Sequence, residues 1–157
     1  MADATIQLVT FQLGEEIYGV DIMDVKEIVK TQAIRPIPNA PYYVEGIFKL
    51  RSEIIPVINL HKRFHLSKLV VEDENEEDEG GFIILNIDGN KIGIIIDRIA
   101  RVVTINTDEI KEPPQMLSGI GTEYIQGVYR QDNNYLIILA IRRLFSAGEL
   151  QKIIDFQ

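Results

Sequence analysis

The chain carries one ordered set of residues twice. Tyr43-Val44-Glu45-Gly46 opens a segment that closes on Leu60-His61-Lys62-Arg63-Phe64, and Tyr124-Ile125-Gln126-Gly127 opens one that closes on Ile141-Arg142-Arg143-Leu144-Phe145. Gly46 and Gly127, Leu60 and Ile141, and Phe64 and Phe145 all stand 81 residues apart. An earlier pair, Tyr18-Gly19-Val20-Asp21 and Ile92-Gly93-Ile94-Ile95, aligns at an offset of 74, and the slack of 7 fits the loop around Pro113-Pro114. A repeat of this length implies two related β-rich halves that bury their faces on each other. The expected organisation is one domain over 1–157, with a first barrel over 11–70 and a second over 82–145. A duplicated barrel without a catalytic set is a binding scaffold rather than an enzyme.

At 157 residues the chain is long enough for a sizeable core, and 46% apolar with 25% charged is ordinary for a globular protein. It has no cysteine, which excludes disulfides, thiolate metal sites and cysteine nucleophiles. No apolar run approaches the roughly 20 residues of a membrane span, and the N-terminus lacks a signal-peptide pattern. The expectation is a cytoplasmic protein that does not insert directly into membranes. The net charge of −8 is concentrated in Glu72 to Glu79, where 7 of 8 residues are acidic; without them 17 acids face 16 bases. Like charges packed so densely repel, so 72–81 is expected to be an acidic flexible loop. It lacks the glycine-turned ligand spacing of a calcium loop.

Strand signals recur along the chain. Ile6–Leu13 and Ile17–Val20 are expected to pair as a hairpin. Lys26–Lys30 forms a third strand in which Val25-Lys26-Glu27-Ile28-Val29 alternates one face inward and one outward. Asn39-Ala40-Pro41 can start one helical turn. Val44–Leu50 and Glu53–Leu60 pair across Arg51-Ser52, and Pro56 places the second of these at an edge or a bulge. Phe82–Ile87 and Lys91–Ile96 turn at Asp88-Gly89-Asn90. Arg98–Thr104, Tyr124–Arg130 and Tyr135–Ile141 complete the set. Ser146-Ala147-Gly148-Glu149 has capping-box spacing, and Leu150, Ile153 and Ile154 share a helical face, which predicts a short C-terminal helix over 146–157. The fold class is mainly all-β, with two small barrels favoured over one sandwich.

No catalytic constellation emerges. His61 and His65 are four apart, but the glutamate of a helical metal motif is missing. Alignment of His61 with Arg142 points to a solvated polar position. Gly80-Gly81 has no phosphate-binding context, Asp88 and Asp97 read as lone turn carboxylates, and no serine has a nucleophile's neighbours. No cofactor or metal is expected. Nucleic-acid binding needs a basic groove with stacking aromatics, and here the basic residues are scattered and tryptophan is absent. Arg51 is different: it is a lone cation in a tight turn between apolar strands. It is either a protein-contact guanidinium or a solvated hairpin tip. The strand edge at Val25–Val29 could be augmented by a partner.

The ordered series Tyr18-Gly19-Val20-Asp21-Ile22, Val25-Lys26-Glu27-Ile28, Asn39 to Gly46 and Leu50 to Leu60 closely resembles the CheW family of bacterial chemotaxis coupling proteins. Ile92 to Asp97 and Tyr124 to Val128 are similar to the family's later motifs, so the match spans about residues 6 to 145. The resemblance implies two five-stranded SH3-like barrels on a shared core, with no catalytic activity. It implies two partners, the regulatory domain of a CheA-type histidine kinase and the cytoplasmic tip of methyl-accepting chemoreceptors, with recruitment to membrane-associated receptor arrays. Carried over by position, Arg51, Val25 and Gly93 fall on the receptor contact, Gly127 is a weaker further member, and Glu27 falls near the kinase contact. The family commonly reads Asn-Leu-Arg-Gly where this chain has Lys49-Leu50-Arg51-Ser52. That departure leaves open a coupler of another sensory system, such as surface motility.

Overall fold

The computed structural model describes residues 4–14, 16–63, 80–112, 124–131 and 134–144. The expected C-terminal helix over 146–157 and the acidic loop, apart from Gly80 and Gly81, lie outside the described residues. The strands are β1 (Thr5–Leu13), β2 (Glu16–Asp21), β3 (Val25–Lys30), β4 (Val44–Leu50), β5 (Glu53–Asn59), β6 (Gly81–Ile87), β7 (Asn90–Ile96), β8 (Arg98–Asn106), β9 (Ile125–Gln131) and β10 (Asn134–Leu139). A single helical turn, α1 (Leu60–Arg63), follows β5. The protein is built from two five-stranded sheets, ordered β8-β1-β2-β10-β9 and β3-β6-β7-β5-β4. Each curls into a small barrel.

The repeat is visible bond for bond. Ile138 of β10 lies parallel to Gly19 of β2, and Val57 of β5 lies parallel to Gly93 of β7. Val44 faces Ile58 and Gly46 faces Val57 across a register shift; 81 residues on, Ile125 faces Leu139 and Gly127 faces Ile138 across the same shift. The repeat units are therefore β1–β5 and β6–β10, but the barrels are not those units. Each barrel takes two strands from one repeat and three from the other. The expected division into 11–70 and 82–145 is corrected accordingly: β6 and β7 complete the sheet of β3–β5, and β1 and β2 complete that of β8–β10. Offsets along a sequence reveal which strands are equivalent, not which ones pair.

Burial on both faces of the central strands explains the unbroken apolar runs. Successive side chains point to opposite sides of a strand. Val57 and Ile84 face a core enclosed by their own sheet, with Phe48, Ile55 and Phe82, whereas Ile58, Ile83 and Leu85 face the large core shared with the other sheet. Leu8, Ile105, Leu136 and Ile138 form the matching inner core of the first sheet. Tyr18 stacks on Phe11 in the shared core, ring centres 6.1 Å apart. Burial, and secondarily the charge of Glu16, push the Tyr18 phenol well above its ordinary pKa.

Several local expectations change. Pro56 lies in β5, which runs between β7 and β4 rather than at an edge. Pairing with β7 starts only at Val57, so the missing N–H costs no ladder bond on that side. β3 alternates regularly, but not by polarity: Val25, Glu27 and Val29 are half-buried, and Ile28 stands with Lys26 and Lys30 on the outer row, 39% exposed. Asn39 to Tyr43 makes turns, with Val44 N–H donating to Pro41 O, but no helix. The last strand stops at Leu139 and gives way to a 3₁₀ turn over Ile141–Arg143.

Two glycines let backbones touch. A Cβ at Gly46 would lie 2.2 Å from Arg35 O, and one at Gly127 would lie 2.4 Å from Ile110 Cγ2 and 3.0 Å from Lys111 O. Gly127→Ala should cost roughly 1–3 kcal/mol, the range of overpacking, and lower the melting temperature by several degrees. Because each barrel draws on both repeats, fragments 1–63 and 80–157 should each lack a cooperative unfolding transition alone. Mixed at equal concentration they should regain strand circular dichroism and one transition.

Candidate functional site

The β4–β5 hairpin ends in a two-residue turn, with Leu50 facing Glu53. Both central residues have positive φ, 48° for Arg51 and 75° for Ser52. That is the geometry the right-handed twist of a hairpin prefers, and it normally recruits asparagine, aspartate or glycine. The β6–β7 hairpin of the same protein obeys the rule, with Asp88 at 52° and Gly89 at 89°. Arg51 and Ser52 do not, and left-handed backbone at a non-glycine residue costs on the order of 1–3 kcal/mol. The strained conformation holds the Arg51 side chain out from the tip, where it is 73% exposed.

Arg51 reaches across to β3. Its Nη1 donates to Glu27 Oε2 at 2.9 Å. The contact joins β4–β5, at one end of the sheet order, to β3 at the other. The hydrogen bond, more than the charge of Glu27, holds the guanidinium above its ordinary pKa. Such an exposed pair contributes little to stability. Glu27 is the more constrained partner: its Oε1 is buried with no hydrogen-bond partner among the described residues. A buried acceptor left open is where an incoming donor would gain most. Exposed aliphatic side chains lie beside both residues in sequence, Ile28 next to Glu27 and Ile54 at 41% exposure near Arg51.

Sequence reasoning did not identify Ile28 and Ile54. Their signal was present in the repeat, since Ile28 matches Val102 and Ile54 matches Tyr135, and all four are exposed. Of the residues it did single out, Arg51 and Glu27 meet directly. Val25 opens β3, half-buried against the shared core. Gly93 shares a row across the sheet with Glu27 through Ile84. It is buried, and a Cβ there would lie 3.4 Å from Ile84 and 3.6 Å from Phe48. Gly127 lies in the other sheet, buried under Ile110 and Lys111.

The histidine expected in solvent is instead inside. His61 is 6% exposed, and its Nε2 sits 2.9 Å from both carboxylate oxygens of Asp97. Asp97 Oδ2 also accepts from Gly14 N–H, so this group ties α1 to the β7–β8 junction and the β1–β2 turn. Alignment with Arg142 misled because that residue faces outward and pairs with Asp88. Among the described residues, no three histidine or acidic side chains are grouped to hold a metal ion. No helix among them is long and apolar enough to cross a membrane.

What the fold presents is a binding scaffold, two rigid strand-built barrels with polar and aliphatic groups displayed at a hairpin tip and a sheet edge. A family model described as CheW-like domain matches residues 7–149. The chain is 63% identical over 151 residues to the chemotaxis protein CheW of Treponema pallidum, covering 96% of this chain and 88% of that one. It is 31% identical over 144 residues to the chemotaxis protein CheW of Klebsiella aerogenes, covering 92% and 84%. The crystal structure of the scaffolding protein TtCheW from Thermoanaerobacter tengcongensis superposes with a TM-score of 0.80 at 36% identity, covering 94% of this chain and 92% of that one. The chain belongs to the CheW-like domain family and is a chemotaxis scaffold of that kind.

Relieving the strained turn is a direct check on its geometry. Ser52→Gly should raise stability by about 1 kcal/mol and the melting temperature by about 2–4 °C, read by denaturant and thermal unfolding. An unchanged midpoint would mean that position 52 is not held at positive φ.

Proposed function

We propose that this protein is a non-catalytic chemotaxis adaptor that couples a CheA-type histidine kinase to methyl-accepting chemoreceptors. In this reading it acts in the cytoplasm, at membrane-associated receptor arrays. Its partners are the regulatory domain of the kinase and the cytoplasmic tip of the receptor. Arg51 is the central receptor contact, flanked by Val25 and Gly93, with Gly127 as a remoter contributor; Glu27 serves the kinase.

The observation that carries the reading is the Arg51–Glu27 pair on its strained turn. The turn accepts an unfavourable backbone to project a cation, and the carboxylate it meets keeps one buried oxygen open. Such groups are suited to exchange an internal partner for an external one, since the internal pair costs little to break. Gly93 and Gly127 bring no side chain to a contact: Gly127 lets Ile110 and Lys111 cross β9, whereas a Cβ at Gly93 would meet Ile84 and Phe48 only at ordinary contact distance. Family membership and the relatives named above support the chemotaxis assignment.

Arg51→Ala should weaken binding of an isolated receptor tip by about tenfold or more, as removal of a central interface arginine does. It should shift the melting temperature by only a few degrees. Calorimetric titration against the regulatory domain of a CheA kinase from the same genome should give stoichiometric binding near micromolar, about −8 kcal/mol. Full receptor affinity in the variant would remove Arg51 from the contact, and no binding to any such kinase would sink the coupling role.

A further inference from the structure

We propose that Arg63 is a positioning residue that locks the two barrels at one angle, and so fixes how the two partner surfaces face each other. The partner half of this statement rests on the adaptor reading above.

The guanidinium of Arg63 sits between two rings, 5.2 Å from the centre of Tyr43 and 4.7 Å from the centre of Tyr124. Its Nε donates to Leu144 O at 3.0 Å. Tyr43 and Tyr124 are repeat equivalents, 81 residues apart, and so are Arg63 and Leu144. A residue can touch its own equivalent only close to the axis that relates the two repeats. Arg63 therefore occupies that axis.

Each ring is anchored to its own barrel in the same way. Tyr43 leads into β4 and its carbonyl accepts from Asn59 N–H; Tyr124 leads into β9 and its carbonyl accepts from Ala140 N–H. β4 and β9 are the terminal strands of their sheets. The Arg63 side chain thus runs from one barrel's frame to the other's. Apolar burial in the shared core is largely non-directional. A planar cation stacked on two rings while donating along a fixed N–H vector is directional. The outer strands lie far from this contact, so a small change in the angle it sets becomes a large displacement there. Position 144, where the repeat would place a second arginine, is leucine, which leaves the axis to one guanidinium.

The test separates orientation from stability and from partner binding. The chain has no cysteine, so spin labels can be placed at Lys30→Cys and Thr104→Cys, exposed equivalents on the terminal strands β3 and β8 of opposite sheets. The otherwise unaltered protein should give one narrow distance. Arg63→Ala should broaden and shift it while the protein remains folded. Arg63→Lys, which keeps the charge but not the planar stack or the Nε donor, should do the same and covers the case in which the alanine variant does not fold. Kinase domain and receptor tip, titrated singly, should bind both variants within about twofold of normal, whereas joint assembly on one scaffold should weaken by about tenfold because it depends on geometry. Narrow, unshifted distances in both variants would overturn the proposal, as would loosened barrels that still assemble both partners normally. If the parent binds neither partner, the adaptor reading fails and the partner half falls with it, while the distance measurement still decides whether Arg63 locks the barrels.

Discussion

Strand exchange between the two repeats is the constraint on which the rest of this structure depends. β1 and β2 lie beside strands of the second repeat, and β6 and β7 beside strands of the first. Each barrel is thus closed by strands of both repeats, and the largest apolar cluster belongs to neither barrel alone. Long apolar runs such as Phe82 to Leu85 follow from this, because a strand between an inner core and a shared core has no wet face. One repeat is joined to the other at four strand pairs, the parallel contacts of β2 with β10 and β5 with β7 and the antiparallel contacts of β1 with β8 and β3 with β6. Parallel neighbours need long connections. Here the chain between β5 and β7 carries α1 and β6, and the chain between β2 and β10 carries β3 to β9.

The candidate site, the Arg51 tip beside Glu27, lies where residue type and local structure agree least. Glu27 puts a carboxylate on the inward row of β3 and Ile28 an apolar side chain on the outward one, and a two-residue turn built from the wrong residues holds Arg51 out. The regular strands supply stiffness, and the departures from regularity supply the groups a partner can recognise. Asp88-Gly89 shows that the same turn can be made with little strain. Strain at Arg51-Ser52 is therefore a property of that tip, not a requirement of the fold.

Most strands were legible because their residues alternate between chain punctuation that is hard to misread. Asp88-Gly89, Gly14 and the Arg51-Ser52 step all fall where the hairpins turn. Repeat equivalence was legible too, from Gly19 with Gly93 and Gly46 with Gly127. The hairpin pairs were legible as well, but pairing between hairpins was not, since an offset cannot tell a strand completing its own repeat from one completing the other. His61 was misplaced for a related reason: its equivalent, Arg142, is solvated, but the carboxylate that draws His61 inside comes from Asp97, 36 residues away in the chain. At the site, the charge of Arg51 between apolar strands pointed to the hairpin tip. Its bond to Glu27 depends on curling of the sheet and was not readable. Period-2 alternation placed one row of β3 inward, but residue type did not reveal that Glu27 belongs to that row and Ile28 to the outer one.

Gly46 and Gly127, doing the same task under the same kind of crossing segment, carry a historical implication. A single ancestral repeat could not have enclosed a barrel, because its first two strands had no place in its own sheet. It would have worked as a twofold pair of identical chains, each lending strands to the other, before one gene came to encode both. Two faces that began identical can differ only at equivalent positions that later diverged, as Glu27 does from Arg101. Divergence between the faces, rather than similarity to relatives, is thus a direct guide to where the two halves of this small protein differ in what they present.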